Sequence, residues 1–152
     1  MKNYLFSFLL LPVHLFCSNG DGPIGPRSAA LGHASSSIYD VWSTRNNQGS
    51  LGFVRQAEAG AFYENRFFVK ELTQSGFAAA VPIKKGTFGI CYTSLGYKLY
   101  RESHATLSYG MKLSEHISAG ISLDYLNTKI ADIYGQANAI TGAVGLTAKL
   151  LP

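Results

Sequence analysis

The sequence predicts an all-β fold: part of an antiparallel up-and-down transmembrane β-barrel, about six strands, behind a short irregular and partly helical N-terminal segment. Two observations carry this. The first is a period of two. In His104–Leu113 the odd positions are Ala105, Leu107, Tyr109, Met111 and Leu113, and the even ones are His104, Thr106, Ser108, Gly110 and Lys112. Residues Ile117–Lys129 set Ile117, Ala119, Ile121, Leu123 and Tyr125 against Ser118, Gly120, Ser122 and Asp124. Successive side chains of a strand point to opposite faces, so each stretch is a strand with one apolar and one small polar face. Ser114-Glu115-His116 between them has the length of a hairpin connection. Each strand is long enough to cross a bilayer, which takes roughly 9–11 residues. At this point the apolar face can meet lipid or a protein core.

The second observation is composition. The 152 residues are 47% hydrophobic and only 14% charged, against roughly 25% charged in an ordinary soluble domain. Sixteen glycines, nine tyrosines and nine phenylalanines suit a sheet that faces something other than water. The length allows one domain. No run of 18 apolar residues follows the N-terminus, so a helical span is not expected there. The formal charge of +4 is spread along the chain with no basic patch interleaved with aromatics, so nucleic acid is not an expected partner.

Residues 1–20 are expected to be a signal peptide. Lys2 is the positive n-region, Tyr4–Phe16 the apolar h-region, and Ser18 and Gly20 the small residues of a cut after Gly20. Cys17 raises lipidation as an alternative, but Phe16 stands before it where lipoprotein signals want a small residue. Cleavage leaves Cys91 alone, with no internal disulfide, and a small inward-facing strand residue is its expected role.

Residues 21–52 form the expected irregular segment with a short helix, and residues 53–152 the antiparallel β-barrel portion. Residues 21–36 are rich in Gly, Pro and Ser and argue for irregular backbone. Ser37–Arg45 admits one or two helical turns with Ile38, Val41 and Trp42 on one face, closed by Asn46-Asn47-Gln48-Gly49. The expected strands are Glu58–Phe68, Gln74–Pro82, Thr87–Arg101, the two strands above, and Asn138–Leu150. Gly96 interrupts the third and suggests a bulge or a change of curvature. Short turns are expected near residues 83–86 and 114–116, and longer connections near 69–74, 101–104 and 129–136, a barrel habit. Tyr92, Tyr97, Tyr100, Tyr109 and Tyr125 fall toward strand ends, where an interfacial aromatic girdle sits. Cross-strand packing in a soluble sheet is the plainer account of them. Transmembrane barrels begin at eight strands, and the chain stops at Leu150-Leu151-Pro152 without a terminal aromatic; a truncated copy of a longer barrel is the expected account, with an assembly of several chains or further uncounted strands as the alternatives.

A family resemblance enters through Gly25-Pro26-Arg27-Ser28-Ala29-Ala30-Leu31-Gly32-His33-Ala34, followed by Asp40-Val41-Trp42-Ser43 and Asn46-Asn47. This resembles the mature N-terminus of Bacteroidetes outer-membrane proteins of the PorV/PorQ group, relatives of the FadL-type transporters. In that pattern Arg-Ser-Ala-Ala-Met/Leu-Gly-Gly-Ala leads to Asp-x-x-Ser-x-x-x-Asn-Pro-Ala-Gly-Leu. The motif residues here are Arg27, Ser28, Gly32, Asp40, Asn46 and Asn47. His33 replaces a glycine, and Gln48-Gly49-Ser50-Leu51 replaces Pro-Ala-Gly-Leu. Ala59–Phe67 fits the family's first strand, and the resemblance covers the front half of the usual barrel. It implies location in the bacterial outer membrane, with lipid as a partner. It also implies either passage of hydrophobic small molecules or a role with secretion-system proteins of the type IX pathway.

On alternation alone, Thr106, Ser108, Ser118, Ser122 and Asp124 are expected to face the lumen. A soluble exported barrel that binds a small ligand is the alternative, with those residues on a solvated face. An outer-membrane lipid-modifying enzyme is a remoter one. His33, His104, His116, Ser108 and Asp124 supply the residue types of a Ser-His-Asp set, but His104 and Ser108 stand about 13 Å apart along a strand. No catalytic residue is assigned. No Cys/His cluster has zinc spacing and no acidic loop has calcium spacing, so neither metal nor cofactor is expected.

Overall fold

The computed structural model describes residues 22–131 and 135–150. The expected signal peptide, with Cys17, lies outside them. Six strands run in chain order: β1 (Glu58–Asn65), β2 (Thr73–Ile83), β3 (Gly86–Gly96), β4 (Tyr100–Lys112), β5 (Ile117–Ile130) and β6 (Gly135–Ala148). Each pairs antiparallel with the next, giving one six-stranded meander in the order β1 to β6 without a crossover. The all-β antiparallel expectation is the observed fold.

Several boundaries differ from expectation. β1 ends at Asn65 rather than Phe68, because Phe67 and Phe68 both take φ of +57°, outside the extended region. Residues 101–104 belong to β4, and the chain turns earlier, over residues 97–99. Gly96 is the last residue of β3 rather than a bulge; its φ of +107° starts that turn, which the Tyr97 amide closes by donating to the Tyr100 carbonyl at 2.7 Å. The expected contrast of short turns and long loops therefore reduces to one longer connection, residues 66–72, among otherwise short ones. The N-terminal segment is more regular than its composition suggests. Pro26 at the first helical position opens α1 (Pro26–Ala30), where only irregular backbone was expected. The second helix, α2 (Ser43–Asn46), is shorter than Ser37–Arg45.

The alternation sorts the sheet into two unlike faces. On one, Thr87, Thr93, Thr106, Ser108, Ser118, Ser122 and Thr147 are buried. On the other, Phe77, Phe88, Ile90, Leu107, Ile121, Leu123, Ile140 and Val144 are exposed, the last two at 72% and 84%. This inverts the ordinary soluble arrangement, in which an antiparallel sheet buries its apolar face and solvates its polar one.

The burial comes from the N-terminal segment, which lies across the small polar face. After α2 the chain takes a 3-10 path, Gln48–Phe53, in contact with β3 to β6. An apolar cluster of Ile24, Val41, Trp42, Leu51, Val54, Ala78, Ala80 and Cys91, with Phe62 against it, joins the segment to β2 and β3. Trp42 is its centre. The ring meets Phe62 edge-on at 5.4 Å between centroids. It also rests on Gly25, where a Cβ would come within 2.6 Å of the ring. Gly25 itself needs a left-handed backbone, φ +97°, which a side chain disfavours.

Candidate functional site: the covered face of the sheet

The N-terminal segment reaches the sheet at distances only glycine permits. Gly49 packs on the backbone of Gly145 and Leu146, where a Cβ would stand 2.8 Å from main-chain atoms. A Cβ at Gly110 would lie 2.5 Å from the Gln48 carbonyl oxygen. At Gly120 it would meet that oxygen closer still, and at Gly52 it would run into the Ser118 hydroxyl. Interiors are packed to near-crystalline density, so no slack absorbs such an atom.

Hydrogen bonds complete the seat. The Asn47 Nδ2 donates to the Ser36 carbonyl at 2.6 Å and to Thr147 Oγ1 at 3.1 Å, while its Oδ1 accepts from the Gly49 amide at 3.0 Å. Ser50 Oγ bonds Thr147 Oγ1 at 2.8 Å. Asn46 holds both polar groups of Ile24, accepting from its amide at 2.8 Å and donating to its carbonyl at 2.9 Å. Asp40 Oδ1 accepts from the Trp42 amide at 2.9 Å, and Ser43 Oγ donates to the Ile38 carbonyl at 2.8 Å. Ser28 Oγ shares a hydrogen bond with Ser35 Oγ at 2.9 Å, and its carbonyl accepts from the His33 amide at 2.8 Å. Gly32 and His33 both have positive φ there. Arg27 makes an exposed ion pair with Asp40 at 3.8 Å, a contact of little energetic weight. Together these contacts fold the segment that carries the motif residues and dock it on the sheet.

The five residues expected on the lumen side all lie on the covered face and are buried. Ser118 Oγ donates to the Met111 carbonyl at 3.0 Å beside Gly52, and Ser108 Oγ to the Gly89 carbonyl at 3.3 Å. The other three meet. Thr106 Oγ1 donates to Asp124 Oδ1 at 2.6 Å and Ser122 Oγ to Oδ2 at 2.8 Å, so both carboxylate oxygens are taken. Register places Thr106 directly opposite Asp124. His104 joins them: its Nε2 lies 3.4 Å from Asp124 Oδ1, within ion-pair reach but without hydrogen-bond geometry, and that nitrogen is buried without a hydrogen-bond partner among the described residues. The contact there is a close approach of the ring nitrogen to the carboxylate rather than a formed hydrogen bond. Neither Ser108 nor Ser122 directs its hydroxyl at His104. The imidazole and the hydroxyls instead converge on one carboxylate, which a buried charge requires for compensation.

Sequence reasoning missed Ser50 and Thr147, the glycine seats at Gly110, Gly120 and Gly145, and the approach of His104 to Asp124. Register could have found the last, since residues two apart on paired strands share a face. The others depend on contacts between segments roughly 60 to 100 residues apart.

On the open face the cross-strand rows form bands. Phe77, Tyr92, Ala105, Tyr125 and Ile140 align in one row, Ile90, Leu107 and Leu123 in the next, and Phe88, Tyr109, Ile121 and Val144 in the third. Above the first row comes a polar one, Ser75, Ser94, Ser103, Asn127 and Asn138. Tyr92 and Tyr125 thus mark an edge of the apolar band, as a girdle would. Tyr109 does not: it lies within the band, its ring 4.8 Å from that of Phe88. Tyr97 and Tyr100 flank the turn beyond the polar row. From Tyr125 to Ile117 the band runs eight residues along β5, about 27 Å, or about 20 Å at a barrel tilt of 35–45°.

Comparison of the chain with protein-family models, curated proteins and solved structures finds no match.

Proposed function

We propose that this chain forms the wall of a bacterial outer-membrane β-barrel of the FadL-like or PorV-like kind, with the N-terminal segment seated against the lumen side. Such a wall serves passage of hydrophobic compounds or type IX secretion. The observation that supports it is the inversion of the sheet. The open face carries more than a dozen large apolar side chains, each at least a third exposed. At roughly half of each side chain's area, the patch exceeds about 1,000 Å², beyond the roughly 300–600 Å² of the largest patch on a typical soluble monomer. Removing that area from water is worth about 25 kcal/mol. A soluble ligand-binding barrel would hide this face and show Ser118 and Thr106, which are buried here. The band of about 20 Å is close to the roughly 25 Å of outer-membrane barrels.

A bilayer leaves unpaired backbone groups at several kcal/mol each, so the proposal requires further strands beside β1 and β6, the two edges of the described sheet. The test is expression with residues 1–20 in place, fractionation of the envelope, and electrophoresis with and without boiling. Recovery in the outer-membrane fraction, with the unboiled species running faster, is expected. Soluble, unshifted protein in the periplasm would overturn the proposal in favour of a ligand-binding sheet.

A further inference from the structure

The open face near the β3–β4 turn carries a feature that the wall itself does not require. Arg101 on β4 and Lys129 on β5 are directly opposite in register, both on the open face and both exposed. Like charges directly opposite across a strand pair are destabilising. Neither side chain is in an ion pair among the described residues. Glu102, next to Arg101 in sequence, points to the covered face, where it accepts the Tyr100 hydroxyl. Among the described residues the pair is thus a two-cation clip without an ion-pair partner, at the β3–β4 turn end of the strands.

Below the clip, register sets Ser103 opposite Asn127, and then Ala105 opposite Tyr125. Ala105 is the one small residue between two tyrosines in its row, Tyr92 on β3 and Tyr125 on β5. Its methyl leaves a recess of about 410 Å³ floored by Ile90, Leu107 and Leu123. A second recess of about 320 Å³ adjoins it on the polar side, bounded by Ser103, Asn127 and Gln136. From Arg101 to Ala105 is four residues, about 13 Å along the strand and about 10 Å in depth at barrel tilt. With Ala105 about 2–5 Å inside the hydrocarbon, that depth puts both cations at headgroup level, since the polar zone on each side is about 5–8 Å thick. The order along one groove is cationic, polar, aromatic and aliphatic.

We propose that this groove binds one anionic membrane lipid, with its phosphate between Arg101 and Lys129 and an acyl chain in the recess over Ala105. The inference rests on the outer-membrane proposal above. Charge complementarity selects the headgroup: an anion relieves the Arg101–Lys129 repulsion, which a zwitterionic lipid does less completely. The recess selects a chain, because its lining is almost wholly apolar.

The test uses the full chain in neutral detergent, with native mass spectrometry reading retained phosphatidylglycerol, phosphatidylcholine or inorganic phosphate. Phosphatidylglycerol is expected to be retained at least tenfold better than phosphatidylcholine. The double variant R101Q/K129Q removes that preference, and Ala105→Phe, which fills the recess on an exposed face, lowers retention of both lipids. Equal retention of the two lipids by the natural chain overturns the proposal. So does phosphate binding as tight as the lipid's and insensitive to Ala105→Phe, which marks a site for a free anion. Flotation with vesicles separates this from the larger claim. A chain that floats with neutral and anionic vesicles alike and shows no lipid preference loses only this site. A chain that floats with neither, and shows no heat-dependent shift, loses the outer-membrane proposal and this site together.

Discussion

Gly120 offers the sharpest test of how the N-terminal segment seats. A Cβ at Gly120 would overlap the Gln48 carbonyl oxygen and approach the Gly49 amide at 2.9 Å, so Gly120→Ala forces the 3-10 segment away from β5. Overpacking of this kind costs about 1–3 kcal/mol. Lifting the segment also stretches the Ser50–Thr147 and Asn47–Thr147 hydrogen bonds, each worth about 0.5–1.5 kcal/mol. Against this, Ala in a strand gains roughly 0.5–1 kcal/mol over Gly. A net loss of about 1–3 kcal/mol is expected, measured as a shift in the urea midpoint in detergent, with faster amide exchange across residues 48–53. Gly142→Ala is the matched control. Its Cβ would meet only the Ser122 carbonyl oxygen, at an ordinary 3.4 Å, so that variant is expected to be neutral or slightly stabilised. Equal behaviour of the two variants would refute the close-packed seat.

Two further outcomes follow from the same structure. Trp42→Ala removes the centre of the apolar cluster and is expected to cost about 3–5 kcal/mol, with Cys91, buried in that cluster, becoming accessible to a maleimide in the folded protein; unchanged labelling of Cys91 would count against the cluster as the anchor. At the β4–β5 turn, the hydrogen bond from Lys112 Nζ to Glu115, 2.9 Å, and the lysine's charge hold the Glu115 carboxyl below its ordinary range. Because the folded value is the lower one, the stabilisation is present above the ordinary carboxylate range and is lost as pH falls through the depressed value. Lys112→Met is expected to return the Glu115 titration, followed by NMR, to the ordinary range; an unmoved titration would show that the lysine is not the cause.

What was legible in the sequence is what depends on neighbours along the chain. Strand character is local, since alternation places each residue on one of two faces before any partner is known. Ala105, Leu107, Met111 against Thr106, Ser108, Gly110 therefore announced both the strand and its two chemistries. Pro26 signalled α1 as well, but the surrounding Gly and Ser obscured it. The end of β1 was hidden because Phe67 and Phe68 are good strand residues, and their left-handed backbone reflects the connection they must make to β2.

Which face is covered, and by what, was decided only by the tertiary structure. Asn47 and Ser50 find Thr147 across about a hundred residues, and nothing near either in sequence marks the pairing. His104 meets Asp124 because the β4–β5 register brings their rows together on one face. Gly110, Gly120 and Gly145 read as ordinary strand glycines until the segment beside them shows that each leaves room for a backbone. The sequence by itself determined two faces of opposite chemistry, because a side chain's direction is set by its own residue's dihedrals. The roof over one face and the exposure of the other came from packing, where segments far apart in the chain compete for the same surface.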